Sequence, residues 1–152
     1  MIPIQASKRV LLDRLGLIDT LLDELRTLPL QTFALFTSDS RTPAAAESFL
    51  RRCLEALLDI GRHVLAKVFG KGVVEYKEIP RRLREHGVLA EREYQLLFTM
   101  AGYRNRMVHF YHEIDAAELY QICTSQLGDI EQVAATYRRW IDTNPQHVSD
   151  AL

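Results

Sequence analysis

Residues 42–70 read TPAAAESFLRRCLEALLDIGRHVLAKVFG. Phe49, Cys53, Ala56, Leu57, Ile60, Val64 and Val68 recur there at three- and four-residue steps, which lays one apolar stripe along a helix. Thr42 is placed to cap it, with Pro43 at the first helical position, where a missing N–H leaves no gap in the ladder. Gly70 and Gly72 end it. So long a stripe needs other helices to cover it, and the neighbouring sequence supplies them.

On the N-terminal side, a helix capped by Ser7 runs to about Thr27, with Val10, Leu11, Leu15, Ile18, Leu21, Leu22 and Leu25 on one face. Leu28-Pro29-Leu30 breaks it. Residues 30–41 then read as a connector from which Phe33 and Phe36 reach the core. On the C-terminal side, a short helix spans Lys77–His86, tolerating Pro80 in its first turn and stopping at Gly87. The third long helix covers Ala90 to Met107, with Tyr94, Leu97, Phe98 and Ala101 inward. The fourth starts at Asp115, whose spacing to Glu118 resembles a capping box, and continues unbroken to about Asp142. From Thr143 onward the chain reads as a frayed tail. Val73-Val74-Glu75-Tyr76 is the sole strand signal, and it is short. The expected fold is all-α: an antiparallel four-helix bundle with an additional short helix, one domain over residues 1–152 with its core at about 7–142.

Composition agrees. The chain has 152 residues, 47% hydrophobic and 26% charged, which is globular rather than disordered. No apolar run is long enough to cross a membrane, and the first residues lack the apolar segment of a secretory leader, so a cytoplasmic location is expected. Cys53 and Cys123 form no CxxC pair and read as buried thiols, with a disulfide between them as the alternative. Net charge is −1, which excludes a protein that holds nucleic acid by overall charge. The charge is uneven, however. Residues 51–106 carry twelve basic and seven acidic side chains, a net of +5, and the remainder is at −6. Such a segment either meets an anionic partner or is simply a solvated basic surface.

The densest polar stretch is Gly102-Tyr103-Arg104-Asn105-Arg106-Met107-Val108-His109-Phe110-Tyr111-His112-Glu113, at the end of the third long helix. An always-charged planar guanidinium suits a phosphate, and an imidazole moves protons at neutral pH. Together they suit attack of a ribose 2′-hydroxyl on its own 3′-phosphate: His109 handles the proton and Arg104 stabilises the phosphorus centre, with Asn105 orienting His109 or bonding a neighbouring backbone group. That route selects RNA over DNA. The alternative is structural, since Arg and His at a helix end also cap carbonyls or pair with surface carboxylates. On a straight helix Arg104 and His109 stand about 140° apart, so convergence requires the helix to end near His109 or a second chain to contribute. His109, His112 and Glu113 lack a clear third metal ligand, and neither a metal nor any other cofactor is expected.

Arg104-Asn105-Arg106-Met107-Val108-His109-Phe110-Tyr111 has the form Arg-x4-His-x-Tyr, and it resembles the motif of the HepT-like toxins of the HEPN superfamily. The helix around Cys53–Val64 and the segment Tyr76–Leu89 are also similar to that family's elements, so the resemblance covers roughly residues 7–142. It implies a metal-independent ribonuclease, dimeric, with Arg and His of both subunits facing a shared cleft. It further implies a minimal nucleotidyltransferase antitoxin as partner, with AMP transferred to Tyr111 to silence the enzyme. Arg104, Asn105 and His109 are then the expected catalytic residues, and Arg106, Arg81, Arg82 and Arg84 are expected to hold flanking RNA phosphates. Two other functions are compatible with parts of the sequence. One is a non-catalytic helical module that binds a nucleotidyltransferase. The other is a DNA-binding helix-turn-helix around Lys77–His86, for which the near-neutral chain and the Glu- and Leu-rich following helix are ill suited.

Overall fold

The structure is a computed structural model that describes residues 4–109 and 114–151. Seven α-helices account for most of the described chain: α1 (Lys8–Thr27), α2 (Phe33–Thr37), α3 (Arg41–Phe69), α4 (Glu78–Glu85), α5 (Glu91–Val108), α6 (Ala116–Ser125) and α7 (Leu127–Thr143). The all-α architecture expected from the sequence is observed, with α1, α3, α5 and α7 as its four long helices. The apolar stripe of α3 is the centre of the molecule. Leu50, Cys53, Leu57, Ile60 and Val64 are closed off from solvent, with α1, α4, α5, α6 and α7 packed around them.

Local chemistry explains where α1 starts and where α3 starts and ends. Ser7 caps α1 by accepting a hydrogen bond from the Val10 N–H at 3.3 Å. α3 begins two residues earlier than its Thr-Pro signal indicates, at Arg41 after Ser40, because Asp39 organises the turn. Its carboxylate accepts from the Arg41 N–H at 3.0 Å and pairs with the Arg41 guanidinium at 2.7 Å. Pro43 therefore sits in the first turn, where N–H groups have no helical partner in any case. Gly70, at φ +65°, closes α3 in the left-handed region, and Lys71 N–H returns to the Leu65 carbonyl at 2.8 Å. Both cysteines are free and buried, and burial pushes each thiol up to about 12.

Between α3 and α4 the approach is close. A Cβ built on Gly61 would meet Ile79 Cγ2 and Leu83 Cδ1 at 2.7 Å each, and the Tyr137 hydroxyl oxygen at 3.0 Å. Only glycine lets α4 lie this near α3, and the placement of α4 sets where the preceding connection, residues 70–77, must run.

Two expectations fail toward the C-terminus. The stripe read as one helix from Asp115 to Asp142 is two. Asp115 caps α6 as expected, accepting from the Glu118 N–H at 2.8 Å. At Gln126, though, the backbone leaves the helix (φ −123°, ψ 3°) before α7 starts. The hydroxyls of Thr124 and Ser125 donate back to the carbonyls of Tyr120 and Gln121, at 2.8 and 2.6 Å. Such back-bonding, with Gly128 just beyond, favours a break. Nor is the segment after Thr143 a loose tail. Pro145–His147 form a 3-10 turn, His147 stacks on Trp140 with ring centroids 6.2 Å apart, and β2 (Val148–Ser149) pairs in parallel with β1 (Ala6–Ser7). Phe36 is buried as expected, whereas Phe33 stays half exposed, stacked on Tyr120 at 5.5 Å. Val73–Tyr76 forms no strand.

The terminal clasp is joined to the core by His63 of α3, whose Nε2 accepts from the Ser7 N–H at 3.0 Å. Burial and nearby Lys67 hold the His63 pKa below its usual value. The unfolded chain therefore binds more protons than the folded one as pH falls through about 6.5, and stability drops there until the folded pKa is passed. Urea midpoints compared at pH 7.5 and 5.5 should show a larger acid loss in the wild type than in His63→Gln. Equal losses in the two proteins would contradict this account.

Candidate active site

α5 carries Arg104 and Asn105 in its last two turns and ends at Val108. His109 is the C-terminal cap. Its N–H still donates to the Asn105 carbonyl at 2.9 Å, but its backbone is extended (φ −87°, ψ 116°). His109 thus keeps its helical position, and despite the 140° separation it and Arg104 border the same opening within one chain. Arg104, Asn105 and His109 line a single open cavity of about 360 Å³, whose other wall is Val74, Glu75, Tyr76 and Lys77.

That second wall was not foreseen from the sequence. It belongs to the connection between α3 and α4, about thirty residues upstream, and it is fixed by Arg62 of α3. The Arg62 Nε donates to the Val73 carbonyl at 3.1 Å and its Nη2 to the Val74 carbonyl at 2.9 Å, while Nη1 reaches Asp59 Oδ1 at 3.4 Å. Burial raises the Asp59 carboxyl pKa, opposed by Arg62, Arg14 and Arg104. The Tyr76 ring receives two guanidinium groups, with Arg62 Cζ 4.6 Å and Arg104 Cζ 4.1 Å from its centroid. Arg104 Nη1 also donates to Asn105 Oδ1 at 3.3 Å, and its Nε is buried without a hydrogen-bond partner among the described residues.

The remaining sequence candidates lie elsewhere. Arg106 makes a two-pronged pair with Glu118 at 2.6 and 2.7 Å, tying the end of α5 to the start of α6. Arg81 pairs with Glu78 at 2.9 Å and Arg82 with Glu85 at 3.2 Å. Arg84 pairs with Glu91 at 2.8 Å and lies 3.9 Å over the Tyr94 ring. None of the four lines the Arg104 cavity. Arg82 borders a neighbouring one of about 290 Å³ that shares Val74 and Glu75 with it. Much of the positive charge in the middle segment is therefore matched locally by carboxylates. Tyr111 lies outside the described residues, as does His112. Among the described residues no three His, Cys, Asp or Glu side chains gather to hold a metal ion.

Chemically, the cavity offers a fixed guanidinium, an amide and an exposed imidazole around a space large enough for a phosphodiester. The family profile described as Ribonuclease HepT-like matches residues 18–136, and the chain belongs to that family. None of the curated proteins matches the sequence. Among solved structures, the fold is similar to a tri-AMPylated HEPN toxin of Shewanella oneidensis in complex with MNT antitoxin. That match has a TM-score of 0.78 at 19% identity and covers 86% of this chain and 97% of the other. A toxin–antitoxin structure with AMP-PNP is similar at TM-score 0.75 and 19% identity, covering 84% and 97%. The cytosolic protein of unknown function YutE from Bacillus subtilis reaches 0.79 at 19% identity, covering 98% and 99%.

Proposed function

We propose that this protein is a metal-independent endoribonuclease toxin. One observation carries the reading: in a chain of the HepT-like family, Arg104, Asn105 and His109 line one solvent-open cavity. In the proposed reaction the His109 imidazole takes the proton of a ribose 2′-hydroxyl. The 2′-oxygen bonds to the adjacent phosphorus, the bond from phosphorus to the 5′-oxygen breaks, and that oxygen leaves with a proton from an imidazolium. The products are a 2′,3′-cyclic phosphate and a free 5′-hydroxyl. Arg104 stabilises the charge on the phosphorane oxygens, and Asn105 holds Arg104 through its side-chain oxygen. In a homodimer, a second copy supplies the second imidazole, which divides the base and acid roles between subunits.

Regulation follows from the same place in the chain. We assign Tyr111, two residues past His109, as the acceptor of AMP from a minimal nucleotidyltransferase antitoxin. An added anion that reaches Arg104 would compete with an RNA phosphate for the guanidinium. The AMPylated state and MNT partner of the Shewanella toxin support this assignment. The absence, among the described residues, of any helix long and apolar enough to cross a membrane fits action on RNA inside the cell.

Purified protein incubated with RNA in EDTA should leave 2′,3′-cyclic phosphate ends, and His109→Ala should lower the rate by about 10²-fold or more. Undiminished cleavage by His109→Ala would contradict the mechanism. Retained toxicity with Arg104 and His109 both changed to Ala would favour a partner-binding module. For Tyr111, mass spectrometry after coexpression with a minimal nucleotidyltransferase should find AMP on that residue, with none on Tyr111→Phe; modification only at other residues would refute the assignment.

A further inference from the structure

Most arginines in the basic middle of the chain hold a carboxylate: Arg51, Arg62, Arg81, Arg82, Arg84 and Arg106 each have one within 4.0 Å. Among the described residues Arg104 has none that close. What holds it is the Tyr76 ring, 4.1 Å from Cζ, and the Asn105 amide oxygen. The difference matters electrostatically. A carboxylate fixes a guanidinium and cancels its charge. An aromatic face fixes it through a quadrupole and leaves the full positive charge for an incoming anion.

We propose that Tyr76 is a positioning residue for Arg104, and that Arg62 holds Tyr76 in place. The proposal rests on the reading of Arg104 as the phosphate-binding group. Tyr76 lies on a connection with no ladder of its own, between Gly70 and α4. Such a segment would let the ring wander, but Arg62 clips it to α3 through the carbonyls of Val73 and Val74 and brings its own guanidinium to 4.6 Å from the same ring. Val74 is 87% exposed and adds no hold, so the segment is held by Val73 and Tyr76, which pack against the core, together with the Arg62 clip. Position is thus relayed from α3 through Arg62 and Tyr76 to Arg104. Because Arg104 Nε is buried without a partner, only the Nη edge can meet a phosphate, and the ring sets the direction of that edge.

The test is a double-mutant cycle between Tyr76→Leu and Arg104→Lys, with Tyr76→Phe as the variant that keeps the ring. Tyr76→Phe should cleave RNA within about twofold of wild type. Tyr76→Leu should lose about tenfold in kcat, the scale of one partly buried cation–π contact, and should lose little more when Arg104 is already Lys. Additive losses would overturn the relay and point to Tyr76 contacting RNA independently. A second readout needs no activity. In NMR spectra, the ring should shift the Arg104 Nε–H resonance and burial should slow its exchange. Tyr76→Leu should abolish both effects and weaken inorganic phosphate binding, while Tyr76→Phe keeps all three. An unchanged Nε–H signal and unchanged phosphate affinity in Tyr76→Leu would overturn the proposal. If wild type cuts no RNA, the ribonuclease reading fails, and these two signals still decide the positioning role.

Discussion

The site depends on a contact between a ring and a guanidinium: Tyr76, its ring centroid 4.1 Å from Arg104 Cζ, holds Arg104 at the cavity that Asn105 and His109 also line. α5 ends at Val108, and His109, its cap, keeps the helical hydrogen bond to the Asn105 carbonyl while its side chain is exposed at the helix end. The two-pronged pair of Arg106 with Glu118 joins the end of α5 to the start of α6. Arg106 thus helps hold the frame that carries its two neighbours.

The other half of the cavity depends on packing at a distance. Gly61 lets α4 lie against α3, and the connection leading into α4 then passes in front of the end of α5. Arg62, the next residue along α3, clips that connection in place. The consecutive pair Gly61-Arg62 therefore links core packing to site geometry: the glycine removes a side chain so that an element can approach, and the arginine fixes the loop the approach creates. The result is a guanidinium that is held but not neutralised, beside an imidazole open to solvent. Such a pair can stabilise a phosphorane and move a proton without a metal.

The sequence was enough to place α1 and α3, by apolar stripes that stop at Leu28-Pro29 and Gly70, α4, by Pro80 in its first turn and Gly87 after it, and α5, by its stripe alone. It misled at Gln126, where the stripe runs through a break made by hydroxyl back-bonding that hydrophobic spacing does not register. It also misled at the C-terminus, which docks through the Trp140–His147 stack and a two-residue strand too short to carry a pattern. At the site, Arg104, Asn105 and His109 were singled out by residue type and by the resemblance of the Arg-x4-His-x-Tyr motif, and the structure brings all three to one cavity. Tyr76 and Arg62 were not, since their roles come from contacts between segments far apart in the chain. A signal was present in the lone aromatic of the Val73–Tyr76 stretch, which by itself reads only as a strand fragment too short to matter. The carboxylate partners of Arg81, Arg82 and Arg84 were likewise visible as nearby glutamates, and the structure shows all three pairs formed.

The most direct test of the account is a crystal structure of the protein with a dinucleotide whose 2′-hydroxyl is replaced by fluorine, so that cleavage cannot proceed. The bridging phosphate should lie within hydrogen-bond distance of the Arg104 Nη atoms, with the imidazole of a His109 beside the 2′-position and the Tyr76 ring still against the guanidinium. A phosphate bound instead along Arg81, Arg82 and Arg84, with the Arg104 cavity empty, would contradict the claim that the end of α5 is where RNA is cut.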